Sequence, residues 1–182
     1  MKAKNQDLIT DLVKRTQEVL NQAQELLNET EEILNKKKDA ESWSALECIE
    51  HLNRYGDFYL PEVKRQITGA PTVNETTVFK AGWLGNYFAK GMLPKEKLNK
   101  MKTFKVMNAS GSVLDTEVLH KFIQQQHQWL DLLTSCRTLN MTKIKTAISI
   151  SKFIKLRLGD TLRVVIYHNQ RHLLQALRAV RD

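Results

Sequence analysis

From Leu158 to Ala179 one stripe of side chains steps along the chain by four, three, three, four, four and three residues: Leu158, Leu162, Val165, His168, His172, Ala176 and Ala179. Steps of three and four place all of them on one face of an α-helix. A helix with an apolar face must bury it against other elements, so the stripe predicts a core-facing helix from about Leu158 to Val180. Two imidazoles stand in the middle of that face, one turn apart. A ring buried there needs a hydrogen bond for one nitrogen and a use for the other. Two arrangements meet the need: hydrogen-bonded core histidines, or two ligands of a shared divalent metal at the H-x-x-x-H spacing that holds zinc in metalloproteases. The glutamate of H-E-x-x-H is absent.

Three further helices follow from the same periodicity. Residues 6–37 read as one long amphipathic helix through Leu12, Val19, Ala23, Leu26 and Ile33, ended by the cations of "NKKKDA". "SWSALECIEHL" opens a second, with Ser44 and Glu47 as a capping box and Trp43 placed to staple against Cys48. It is expected to run to about Thr68, through Gly56 and a kink at Pro61. A third starts near Ser112 or Asp115 and runs to about Arg137 with the stripe Val118, Phe122, Trp129, Leu133 and Cys136. Between them lie 69–112, turn-like and then aromatic and glycine-punctuated, and 140–157, where Ile148, Ile150 and Phe153 alternate as a short extended piece. The expected fold is all-α, a four-helix bundle with two long crossover connections. The chain's 182 residues make one domain, 1–182, with no internal repeat.

The net charge of +8 is concentrated. Lys95, Lys97, Lys100, Lys102 and Lys105 stand against Glu96; Lys143, Lys145, Lys152, Lys155, Arg157 and Arg163 stand against Asp160. Basic character of this kind belongs to connections rather than to a helix face with base-reading side chains, and no nucleic-acid motif accompanies it, so nucleic acid is an unlikely partner. No apolar run approaches the ~20 residues that span a bilayer, and the start lacks the apolar core of a secretory signal. A cytoplasmic protein without membrane attachment is expected, with Cys48 and Cys136 as free thiols.

A third ligand for the histidine pair would come from a facing helix. His51 shares its face with Cys48, Tyr55 and Phe58, which places it beside apolar and aromatic groups. His120 and His127 share theirs with Thr116, Gln124 and Asp131 and read as solvated. Cys48, one turn from His51, is a candidate fourth ligand, but it reads rather as a small packing group. Glu47, Tyr55 and Gln126 are candidates to orient the imidazoles.

The run W-S-x-x-E-x-x-x-H-L from Trp43 to Leu52, followed by L-G-D-T-L-R-x-x-x-x-H-x-x-x-H from Leu158 to His172, resembles the DinB-like superfamily, which includes thiol-dependent S-transferases. The resemblance covers most of the chain in order and spacing, although 69–112 maps onto nothing residue by residue. It implies an up-up-down-down bundle, a divalent-metal site of His51, His168 and His172, and a homodimer. It also implies a low-molecular-weight thiol cosubstrate such as bacillithiol, mycothiol or glutathione.

Three histidines without an acidic ligand leave a coordination position open, as catalytic rather than structural zinc does. Zinc or nickel is the expected ion, and iron and copper also suit imidazole. The leading expectation is a thiol S-transferase acting on a small electrophile in detoxification or stress response. A metal-dependent hydrolase using bound water is the nearest alternative, and a non-enzymatic metal-binding or interaction module is the other.

Overall fold

The computed structural model describes residues 1–94 and 103–181. Its elements in chain order are β1 (Lys2–Lys4), α1 (Asn5–Leu26), α2 (Glu31–Asn35), α3 (Ala45–Ile67), β2 (Val78–Lys80), α4 (Trp83–Met92), a 3-10 turn (Lys105–Met107), α5 (Glu117–Cys136), β3 (Lys145–Ile148), β4 (Ser151–Arg157) and α6 (Leu158–Arg181). The protein is mostly helical, and two small antiparallel sheets qualify the all-α expectation. One pairs β1 with β2, Ala3 opposite Phe79; the other is the β3–β4 hairpin, Lys145 opposite Arg157. The long helices α1 and α3 each pack against both α5 and α6.

The N-terminal helix is not one rod to residue 37. α1 ends at Leu26, a turn follows, and Thr30 starts α2 by accepting the Ile33 N–H at 3.4 Å. The turn shifts the helical phase: Leu34 is buried, while Ile33, the expected member of the stripe, is only half-buried. α5 begins at Glu117, later than Ser112 or Asp115, and Leu119 takes the buried position assigned to Val118. Phe122, Trp129, Leu133 and Cys136 are buried as expected. α3 forms from its capping box as the sequence dictates, Ser44 Oγ accepting the Glu47 N–H at 3.2 Å and Glu47 Oε2 accepting the Ser44 N–H at 3.0 Å. It passes unbroken through Gly56 and Pro61.

The stretch 69–112 is more ordered than its composition predicts, since it contains β2 and the ten-residue α4. Lys95, Lys97, Lys100 and Lys102 lie outside the described residues. The second basic stretch is the hairpin and the start of α6. Its Arg163 is buried and paired with Asp160 at 3.3 Å rather than solvated. Ile148 is buried while Ile150 and Phe153 are exposed, and the hairpin docks on α3 through Ala147 N–H to Glu62 Oε1 at 2.7 Å.

Two apolar clusters divide the interior. Leu12, Tyr59, Trp129, Leu162 and Ile166 belong to one; Val19, Leu46, Ile49, Phe122 and Leu173 belong to the other. Each fully buried large side chain contributes about 1.5–3 kcal/mol through the water it gives up. Along α6 the change from one cluster to the other falls between Tyr167 and Leu173, and along α3 between Leu52 and Tyr59. Buried polar groups fill that level: His51, His168, and Asn169, whose amide donates to Gln126 Oε1 at 3.2 Å. No described helix is long and apolar enough to cross a membrane. Cys48 and Cys136 are buried free thiols.

Candidate metal centre

At the level where the two clusters meet, α3 presents His51 and α6 presents His168 and His172. The i, i+4 spacing sets the two α6 rings edge to face, with centroids 4.6 Å apart, and His51 lies 5.0 Å from His168 and 4.6 Å from His172. One potential ligand nitrogen from each ring lies within 4.8 Å of the others. His51 and His168 are buried and His172 is half-buried. His120 and His127 are exposed on α5, as their helix face predicts.

The hydrogen bonds decide which nitrogens converge. His51 Nδ1 lies 2.7 Å from the Met107 carbonyl oxygen, which can only accept, so the proton sits on Nδ1 and the Nε2 lone pair is free. His172 Nδ1 donates to Gln175 Oε1 at 3.0 Å, with the same consequence for its Nε2. His51 Nε2 and His168 Nε2 are 3.2 Å apart. Two nitrogens each 2.0–2.1 Å from one tetrahedral ion would stand about 3.3 Å apart, so the spacing of the His51–His168 pair fits a metal of that class.

Electrostatics keep the rings neutral. Burial pulls His51 down to about 4, against the Met107 hydrogen bond, which acts the other way. Burial and the neighbouring His51 pull His172 down to about 3. His168 is lowered well below its ordinary value, by burial first and then by the other two imidazoles. Metals bind the neutral form, so at neutral pH no charged imidazolium has to lose its proton first.

Two aromatic rings wall the cluster. Trp43 stacks on His172 at 5.9 Å and leans on His51 at 4.9 Å. Its indole also packs against the apolar cluster that contains Cys48, the staple partner the sequence suggests. Tyr55 sets its ring edge-on to His51 at 5.0 Å and to His168 at 4.7 Å. Of the three expected orienting groups, Tyr55 is therefore in place and the other two are engaged elsewhere. Gln126 bonds Asn169, and Glu47 accepts from Lys37 Nζ and the Gly111 N–H, both at 2.6 Å.

A strap covers the His51 side. Arg54 NH1 donates to the Asn108 carbonyl at 2.6 Å and to the Val106 carbonyl at 3.4 Å. Gly111, at φ +77°, turns its N–H toward Glu47 in a conformation other residues adopt only under strain. Between these anchors the backbone presents the Met107 carbonyl to His51. No residue type marks a backbone carbonyl delivered by a distant loop, whereas Gln175, three residues beyond His172 on a helix, was within reach of a spacing argument.

The chain, with a helix opened by W-S-x-x-E and a later helix opened by L-G-D-T-L-R, matches a family profile over residues 12–176. The chain belongs to the DinB superfamily. No curated protein and no solved structure matches it. For a DinB protein the donor set is chemically consistent: three neutral nitrogens, two with tautomers set by hydrogen bonds, and no carboxylate in the group. Cys48 is not part of it. The thiol packs in the apolar cluster with Leu46 and Ile49, and burial raises its pKa.

Proposed function

We propose that this protein is a divalent-metal-dependent enzyme in which His51, His168 and His172 hold the ion, and that its reaction is thiol S-transfer. The observation that carries the reading is the convergence of three neutral imidazoles from two helices, two of them buried and the third half-buried. Zinc or nickel is the ion that best suits three imidazoles, with iron and copper as further occupants. Such an ion lowers the pKa of a bound water toward ~7 and deprotonates a bound thiol.

The chain's own groups prepare the site. Met107 and Gln175 hold His51 and His172 in the tautomer that leaves Nε2 free, and Trp43 and Tyr55 keep water from the ring faces. In the proposed reaction the thiol gives its proton to solvent, its sulfur bonds to an electrophilic carbon, and the bond from that carbon to the leaving group breaks, the leaving group taking the bonding pair. The cosubstrate would be a low-molecular-weight thiol and the acceptor a small electrophile, in detoxification or stress response in the cytoplasm. The four long helices are taken as the up-up-down-down bundle of a single domain, two copies forming a homodimer. Hydrolysis by bound water is the nearest alternative chemistry at the same residues.

Elemental analysis of protein purified without tag or chelator, beside His51→Ala and His168→Ala, tests the proposal first. One ion per chain in the wild type, lost in both variants, is the expected result. Assays with thiol and electrophile, and with ester probes, then separate transfer from hydrolysis. A wild type that neither carries a metal nor takes up zinc or nickel would overturn the enzyme reading and leave a non-enzymatic module.

A further inference from the structure

We propose that the outer face of α4, together with the exposed face of the β3–β4 hairpin, binds the surface of an anionic phospholipid membrane. The inference is independent of the metal chemistry.

α4 is built the opposite way round from an ordinary surface helix. Such a helix turns its large apolar residues inward. Here the buried positions are Gly85 and Ala89, and a Cβ added at Gly85 would collide with the Asp160 side chain on α6. The large residues point outward: Trp83 is 85% exposed and Tyr87, one turn on, 68%. Lys90 continues the same exposed face. The helix is held in this pose. Asp160 Oδ2 accepts the Gly82 N–H at 2.7 Å, and Arg163 donates to Asn86 at 3.1 Å. The L-G-D-T-L-R run thus supplies the anchor for α4, a role separate from the histidines that follow it.

The hairpin adds to the surface. Lys155 and Arg157 share one face of β4, opposite Ala147 and Lys145, and Phe153 stands in the bulge that precedes them. Arg157 lies beside the start of α4, bonding the Lys80 carbonyl at 2.5 Å, so that face is on the side of Trp83. Phe153 is 97% exposed.

Charge selects the partner. Residues 78–94 and 143–157 contain seven Lys and Arg and no Asp or Glu. A two-fold contact would press this cationic face against itself, which disfavours a second copy. Indole and phenol rings settle at the headgroup level of bilayers, and lysines nearby are drawn to anionic leaflets. A nucleic-acid groove would track a backbone along a charged channel, which an outward helix and a hairpin do not form.

The test is co-sedimentation with vesicles of phosphatidylcholine, with and without one third phosphatidylglycerol. Binding to the anionic vesicles is expected, about tenfold or more tighter than to neutral ones and weakened by salt. Trp83→Ala with Tyr87→Ala should reduce it about tenfold, with helical content and metal content unchanged. Lys90→Glu with Lys155→Glu should do the same, and it reads the charge alone should the first pair fail to fold. Trp83→Phe should keep binding but lose the blue shift of tryptophan emission on vesicles. Binding that ignores lipid charge, or that survives both double variants, overturns the proposal. So does an absence of vesicle binding, whether the face is found to hold DNA or to mediate self-association.

Discussion

His51 is oriented by a backbone carbonyl, and that carbonyl is held in turn by a side chain on the same helix as His51. Arg54 ties the 106–108 strap to α3 one turn beyond the imidazole. Arg54→Ala should therefore weaken metal binding about tenfold by loosening the partner of Nδ1, while leaving helical content intact, as a chelator competition and circular dichroism would show. An unchanged affinity would mean the strap holds without it. Trp43 offers a second readout at this scale. Its ring lies within 5.9 Å of two of the three imidazoles, so copper or nickel should quench tryptophan emission in proportion to occupancy. The quenching should vanish in Trp43→Phe, although Trp83 and Trp129 remain. The histidines themselves were legible because spacing on an amphipathic helix encodes direction. The strap was not, because its contribution comes from main chain at a sequence distance of more than fifty residues from His51.

The start of α3 is the element most completely written in local sequence. Ser44 and Glu47 each satisfy a backbone N–H of the other, and removing the hydroxyl in Ser44→Ala should cost about 1 kcal/mol in urea unfolding of the metal-free protein. A null effect would show that the tertiary bonds of Glu47 to Lys37 and Gly111 already hold the helix end. The attachment of α4 is the opposite case. Its glycines read as loop, since glycine weakens an isolated helix, and only docking on Asp160 explains why small residues recur on its inner face. Asp160→Ala removes the acceptor of Gly82 N–H and leaves the buried Arg163 without its carboxylate. About 3 kcal/mol or more should be lost, measured in the same unfolding experiment. The break at 27–30 was equally hidden, because the residues of α2 carry helix propensity and only the burial of Leu34 fixes the new phase.

For the molecule as a whole, three imidazoles with lowered pKa values couple stability to pH. Unfolded, each takes a proton as pH falls below about 6.5; folded, His51 waits until about 4 and His172 until about 3. The unfolded state therefore binds more protons between those limits, so the metal-free protein should lose stability as pH falls from about 6.5 toward 4 and keep it in full above. Unfolding midpoints across that window check the sign, and replacing His172 by Gln should flatten the slope. Features that depend on neighbours a few residues apart were legible along the chain. The long α3, α5 and α6, the capping box, the exposed His120 and His127, and the common direction of His168 and His172 all follow from helical geometry. Packing was needed to show that the Met107 carbonyl faces His51, that Tyr55 reaches across to His168, and that α4 turns Trp83 and Tyr87 outward. Each of those depends on atoms brought together from distant parts of the chain, and their spacing is set by how helices pack rather than by the order of residues along any one of them.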